Sequence, residues 1–298
     1  MRVTDKYGLT TPVPFVNIHV ERDNALYLDP SAIRNGTDSW SRRAHTQLVD
    51  FFTEVLLLRK SSLPADHAKG LALLQYLHEP NQTRLGVSAR GIGGKAIGSG
   101  LAGELWDELG ANPAAQSDAL TRLEHLPVFL ERVGPDLISD LTTRIIFGVL
   151  VDFTNEMMRR YPGLAAGATI ESVPMYDPTT KQWRPVMAHL PYVAPHQILL
   201  IPKEWVFWRL LMWSEPFYNR YATTTVRFER GSYDNKGRFQ GPLKKSLKSE
   251  FTDHRKLNND QAVKYKTEQD RDLVIEYQNF VDTEFEPLSD AEIESRTD

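Results

Sequence analysis

The chain has no cysteine. That excludes a disulfide scaffold, a thiolate zinc site, an iron–sulfur cluster and a cysteine nucleophile. It also has no run approaching the ~18 uncharged apolar residues of a membrane-crossing helix. Residues 1–11 carry charges at Arg2, Asp5 and Lys6 with no apolar stretch behind them, which does not read as a secretory signal. A cytoplasmic chain without membrane contact is expected. An excess of one charge is missing too: 35 Lys and Arg stand against 39 Asp and Glu, a net −4 that exerts no global pull on a polyanion. The eight histidines form no HxxxH or HExxH pattern, no GxSxG elbow occurs, and no internal repeat stands out.

What is present is a 298-residue chain, 41% hydrophobic and 25% charged, long enough to bury a sizeable core. Short apolar runs in residues 13–28, broken at Asp23-Asn24, predict a strand–turn–strand. Leu48, Phe52, Val55 and Leu56 follow helical spacing. So do Leu71 and Leu74 after Pro64, and a further helix is expected over 101–109. The apolar run 126–133 reads as a strand. Leu141, Ile145, Val149, Phe153 and Met157 then recur every four residues, predicting one long helix that closes at Tyr161-Pro162-Gly163. A β-hairpin and a strand over 197–201 are expected next, followed by a packing stripe of Trp205, Trp208 and Trp213. The predicted class is mixed α/β: a central mixed sheet flanked by helices, with a charged C-terminal extension.

Charge is sorted along that extension. Residues 219–271 hold 13 Lys or Arg and 7 Asp or Glu, whereas residues 272–298 hold 9 acids and one Arg. An α/β core over 1–218 and a basic-then-acidic segment over 219–298 are the expected domains. The basic part carries Arg238, Lys244, Lys245 and Lys248 among Phe228, Tyr233, Phe239 and Phe251, a pattern that suits phosphates and stacked bases. A solvated face paired with the acidic tail explains the same composition.

Three further features could carry chemistry. Asp136 and Asp140, within Gly134-Pro135-Asp136-Leu137-Ile138-Ser139-Asp140-Leu141-Thr142-Thr143, lie four apart at an expected strand–helix junction. On one helix face they would come within about 6 Å and suit Mg²⁺. Capping of the helix by Asp136 or Ser139 is the simpler alternative. The glycine-rich stretch RGIGGKAIGSG, residues 90–100, sets Arg90 and Lys95 among freed backbone amides before a helix, suited to a nucleic-acid phosphate. It lacks the spacing of a nucleotide-hydrolysis loop, and a surface loop needing glycine for its turns is the alternative. Lys203, at the exit of ILLIPK (198–203), could reach a phosphate or simply extend into solvent.

The order EPNQTRLG (79–86), the glycine-rich turn, VGPDLISDLTTRI (133–145) and ILLIPK (198–203) resembles a family of uncharacterised bacterial proteins associated with mobile and phage-defence islands. The resemblance covers residues 13–215 and implies no particular activity. A second, fainter similarity is to the restriction-endonuclease-like nucleases, onto whose roles Glu104, Asp136 and Lys203 can be laid with Asp140 as a further acid. Here the sequence departs from that pattern: Ile201-Pro202 precedes Lys203 where an acid is expected, and a helix follows Asp136. Two functions follow as expectations. In one, the chain is an antiphage metal-dependent phosphodiesterase acting on DNA: Asp136, Asp140 and Glu104 hold Mg²⁺ and Lys203 neutralises phosphate charge. In the other it is a non-catalytic subunit binding nucleic acid or a partner such as an ATPase. A sensor binding a nucleotide at the glycine-rich loop is a third reading, and homo-oligomerisation is compatible with each.

Overall fold

In a computed structural model that describes residues 1–78, 80–86 and 99–297, the chain forms two compact units, each assembled from separated stretches. Unit 1 comprises Met1–Trp106, Pro135–Leu211 and Phe285–Asp298; unit 2 comprises Asp107–Gly134 and Met212–Glu284. The acidic tail is therefore divided, with Leu273–Thr283 in unit 2 and Asp290–Thr297 in unit 1. No helix among the described residues is long and apolar enough to cross a membrane.

Unit 1 is organised around α1 (Ser39–Lys60), α2 (Pro64–Gln75), the part of α3 (Ser99–Ala111) that precedes Asp107, α4 (Pro135–Ile145) and α5 (Phe147–Arg160). Asp38 starts α1 by accepting from the Trp40 and Ser41 amides, and Ala44, Leu48, Phe51, Phe52, Val55 and Leu58 form its buried stripe. Trp205, fully buried, donates its indole N–H to Ser41 Oγ at 2.8 Å, so this tryptophan is packing as expected. The long helix anticipated over 141–157 is interrupted: α4 ends at Ile145 and α5 begins at Phe147. The Gln47 amide donates to the Ile145 carbonyl at 2.7 Å and draws it away from the helix ladder.

The α+β class is borne out, but among the described residues the strands are distributed among four two-stranded antiparallel sheets instead of one central sheet. β1 (Tyr27–Leu28) pairs with β6 (Val206–Phe207); β2 (Thr169–Asp177) with β3 (Gln182–Leu190); β4 (Tyr192–Val193) with β5 (His196–Gln197). The expected hairpin is β2–β3. Pro174 faces Pro185 across it, so neither nitrogen can donate and each outer edge is interrupted midway. The Pro174 and Tyr176 carbonyls are taken by the side chains of Arg144 and Gln47. A third strand has little left to pair with.

Two predicted strands are not strands. Residues 198–201 are extended and fully buried, yet their amides go to scattered partners: Ile198 to the Pro191 carbonyl, Leu199 to that of Gln82 and Leu200 to Thr154 Oγ1. Residues 126–133 instead begin as a single helical turn, Leu126–Phe129, with Pro127 in its first turn. The Val128, Phe129 and Leu130 carbonyls accept from Asn258, Asn259 and Arg255, so no ladder can form there. An all-apolar run this short does not distinguish strand from buried turn. The N-terminal runs also do not pair with each other: Phe15 bridges to Pro202 and β1 pairs with β6.

Unit 2 contains α6 (Thr223–Glu229), the hairpin β7 (Ser232–Tyr233) and β8 (Phe239–Gln240), α7 (Lys244–Glu250), α8 (His254–Glu268) and α9 (Leu273–Thr283). Phe217, Tyr218, Leu257, Val274 and Tyr277 form its core. The face that α8 buries is largely polar, Asn258, Asn259 and Gln261 beside Leu257 and Ala262, and α7 buries Leu247.

Arg144, on α4, is 1% exposed and has no carboxylate partner among the described residues. It donates to the Tyr76 carbonyl at 3.4 Å and the Pro174 carbonyl at 3.0 Å, with the guanidinium 5.1 Å from the Phe147 ring centre and 5.6 Å from that of Trp183. Burial pulls its pKa down to about 10, so it stays charged at neutral pH. Arg144→Ala would leave two buried carbonyls unpaired beside a cavity. A loss of about 3 kcal/mol is expected, read as a lower urea midpoint at unchanged m; a loss below about 1 kcal/mol would contradict this role.

Glu54, largely buried on α1, accepts from Lys69 at 2.7 Å and from Lys181 of the β2–β3 turn at 2.6 Å. These two ammonium groups hold its pKa below the ordinary 4.5. A carboxylate depressed in the folded state contributes stability above its unfolded pKa and loses it as pH falls through the folded value. Below about pH 4.5 the wild type should therefore lose melting temperature more steeply than Glu54→Gln. Parallel pH profiles for the two proteins would remove this assignment.

Candidate nucleic-acid interface

The Asp/Ser/Thr run is consumed mainly by packing. Pro135 opens α4 with Asp136 in its first turn. The buried Ser139 hydroxyl accepts from the Leu28 amide at 3.0 Å, and Thr142 and Thr143 donate back to the Ile138 and Ser139 carbonyls at 2.6 and 2.8 Å. Asp136 is exposed and Asp140 half-buried, one turn apart. Asp136 lies beside Gly86: a Cβ there would sit 3.1 Å from Asp136 Oδ1, and φ of +115° independently demands glycine. The Tyr27 phenol is raised, first by burial and then by the Asp136 charge.

The other residues assigned to phosphodiesterase chemistry are engaged or placed differently. Lys203 Nζ pairs with Asp290 on the Asp290–Thr297 helix, and Glu104 lies exposed on α3. Among the described residues, no three His, Asp or Glu side chains are grouped so as to hold a metal ion, so Glu104 does not join Asp136 and Asp140. Arg90 and Lys95 lie outside the described residues.

A groove of about 710 Å³ runs between α1, α5 and the β2–β3 hairpin, adjoining a hollow of about 620 Å³ that shares Arg43 and Asp152. Its charges are largely compensated from within: Arg43 pairs with Asp152 at 2.7 Å and Arg184 with Asp177 at 3.3 Å. The Tyr176 phenol beside it is pushed up to about 12 by burial and then by Glu54, Asp50 and Asp177, so it remains neutral. A groove of such balanced charge offers a polyanion no net attraction.

Unit 2 differs. Tyr233 and Phe239 are cross-strand partners of β7–β8, their ring centres 5.5 Å apart, and Phe228 of α6 lies 5.0 Å from Phe239. Tyr233 is 67% exposed and Phe228 53%. Arg227 stacks over Phe239 at 5.0 Å and donates to the Pro242 carbonyl, tying α6 to the approach of α7. Arg230 reaches back to Glu250 of α7 through two hydrogen bonds of 2.7 and 2.8 Å.

Around this aromatic patch the cations sort into two sets. Arg230 pairs with Glu250, Lys264 with Glu229 and Arg238 with Asp234. Asp234 also accepts from the Lys236 and Arg238 amides, which hold its carboxyl below the usual range and fix the hairpin turn. Among the described residues, Lys236, Lys244, Lys245 and Lys248 pair with no carboxylate, and Lys244 donates to the Asn219 carbonyl. Sequence reasoning identified Arg238 and the three α7 lysines together with the aromatics, but missed Lys236. Its signal was available in Asp234-Asn235-Lys236-Gly237, a turn sequence that puts a lysine at a hairpin tip.

Gly231 admits the Phe239 ring: a Cβ there would come 2.3 Å from Cζ of that ring and 3.0 Å from the Gln240 carbonyl oxygen. Gly231→Ala is expected to expel the ring and cost about 2 kcal/mol. The near-UV circular dichroism should change while the far-UV spectrum is kept; an unaltered near-UV spectrum would count against this packing.

No curated protein and no solved structure matches the chain. Residues 9–212 match a family model described as a domain of unknown function, DUF8370. The patch between Arg227 and Lys248 lies beyond the matched span. With more than half of its length matched, the chain belongs to the DUF8370 family.

Proposed function

We propose that the chain is a non-catalytic nucleic-acid-binding subunit of a bacterial antiphage assembly, holding DNA on the basic surface of unit 2. The observation that carries this reading is the group of four lysines that, among the described residues, have no carboxylate partner, on the β7–β8 turn and α7 beside the exposed rings of α6 and β7. Ammonium groups not neutralised by the protein are available to release counterions from phosphates. The defence setting rests on the family resemblance in the sequence, and a protein partner such as an ATPase on the sorted charge of the C-terminal segment; a cytoplasmic location is part of the same proposal. The phosphodiesterase alternative keeps one supporting feature, the spacing of Asp136 and Asp140 by one turn of α4.

Fluorescence anisotropy with labelled DNA tests the proposal. Lys244→Glu/Lys245→Glu/Lys248→Glu should weaken binding by about 100-fold or more at moderate salt, because each reversal removes a phosphate contact and adds a repulsion. Binding by the triple variant equal to wild type would sink the reading. Incubating wild type and Asp136→Ala/Asp140→Ala with DNA and Mg²⁺ separates the alternative. Cleavage lost only in the double variant would replace the binding subunit with a nuclease.

A further inference from the structure

We infer that this surface selects single-stranded over double-stranded nucleic acid, with Tyr233 and Phe228 as stacking platforms for unpaired bases. The inference rests on the nucleic-acid-binding reading but uses a different observation, the rings rather than the lysines. Truly structural aromatics are covered by their neighbours, as Phe217 and Tyr277 are in the same unit. Tyr233 is instead two-thirds exposed at a two-residue strand, held edge-on to Phe239 at an interplanar angle of 67°. Phe239 provides the support: half-buried, it lies against Phe228 and beneath the Arg227 guanidinium, with Gly231 and Gly241 leaving room for its ring. A rigid inner ring therefore carries two outer rings in solvent.

Charge favours a nucleic acid as the occupant over an apolar protein surface. Lys236 lies at the tip of the hairpin whose strands carry Tyr233 and Phe239. Lys244, Lys245 and Lys248 lie on α7, which packs against the α6 helix that carries Phe228. A hydrophobic partner would have to desolvate these unpaired ammonium groups, whereas phosphates flanking a stacked base would satisfy them. Duplex DNA keeps its bases stacked on one another and offers exposed rings little; an unpaired strand offers each base face.

The experiment compares an oligothymidylate single strand with a duplex of equal length, using the full chain. Wild type should prefer the single strand. Contacts from four ammonium groups should give a log–log salt slope of about −3. Tyr233→Ala/Phe228→Ala should lower single-strand affinity by about 10- to 100-fold, leave duplex affinity unchanged and so abolish the preference. Because both rings are exposed, the melting temperature should be retained. Tyr233→Trp should bind as wild type. Of its seven indoles, the new one at position 233 should lose emission when the single strand binds and not when the duplex does. A wild type that binds both forms equally would overturn the inference while leaving the binding function standing. An intact preference in the double variant would overturn it too, reassigning the rings to a protein contact. Failure to bind either nucleic acid would overturn the binding function itself, and the inference with it.

Discussion

Arg144 is the constraint on which the arrangement of unit 1 depends. Removing a guanidinium from water costs several kcal/mol, and among the described residues no carboxylate offsets that cost. Two charge-assisted hydrogen bonds contribute about 1.5–3 kcal/mol each, and ring contacts about 1–2 kcal/mol more, so the sum is close to balanced. Its importance is geometric. The end of α2, the helices α4 and α5 and both strands of the long hairpin must be held where two carbonyls and two rings can meet one planar cation. An apolar side chain would impose no such agreement.

The hairpin shows how side chains replace a sheet. Arg144 and Gln47 occupy carbonyls on the outer edge of β2, Gln197 takes the Ala188 carbonyl of β3, and Pro174 opposes Pro185. A buried backbone group needs a partner, but the partner need not be another strand. The same principle governs residues 126–130, whose carbonyls are taken by two asparagines and an arginine of α8. Unit 1 compensates most of its groove charges internally. Among the described residues, four lysines around the aromatic patch of unit 2 have no carboxylate partner, and that difference is what separates a balanced groove from a surface able to attract phosphate.

Much of the helical architecture was legible in the sequence, because periodic apolar positions such as Leu48, Phe52 and Val55 report directly on a buried face. The long hairpin was legible for a related reason. The basic, aromatic segment was visible in composition, and its aromatic members proved to be neighbours across β7–β8 and α6. The density of hydroxyls and acids around Asp136 was visible as well, but its cause was not. Ser139 is there for the Leu28 amide and Thr142 and Thr143 for their own helix, partners that lie far off in sequence or are indistinguishable from solvent-facing ones.

By itself the sequence determined the α+β class, the exclusion of cysteine chemistry and the sorting of charge toward the C-terminus, since each depends on composition or on periodicity within one segment. Only the tertiary structure decided which carbonyls found side-chain partners, which cations were neutralised by a carboxylate, and where a helix had to break. Those outcomes depend on pairs such as Gln47 with Ile145 or Lys203 with Asp290, brought together from distant parts of the chain. Local patterns fix what a segment can bury; the identity of its polar partners is set only when the rest of the chain arrives.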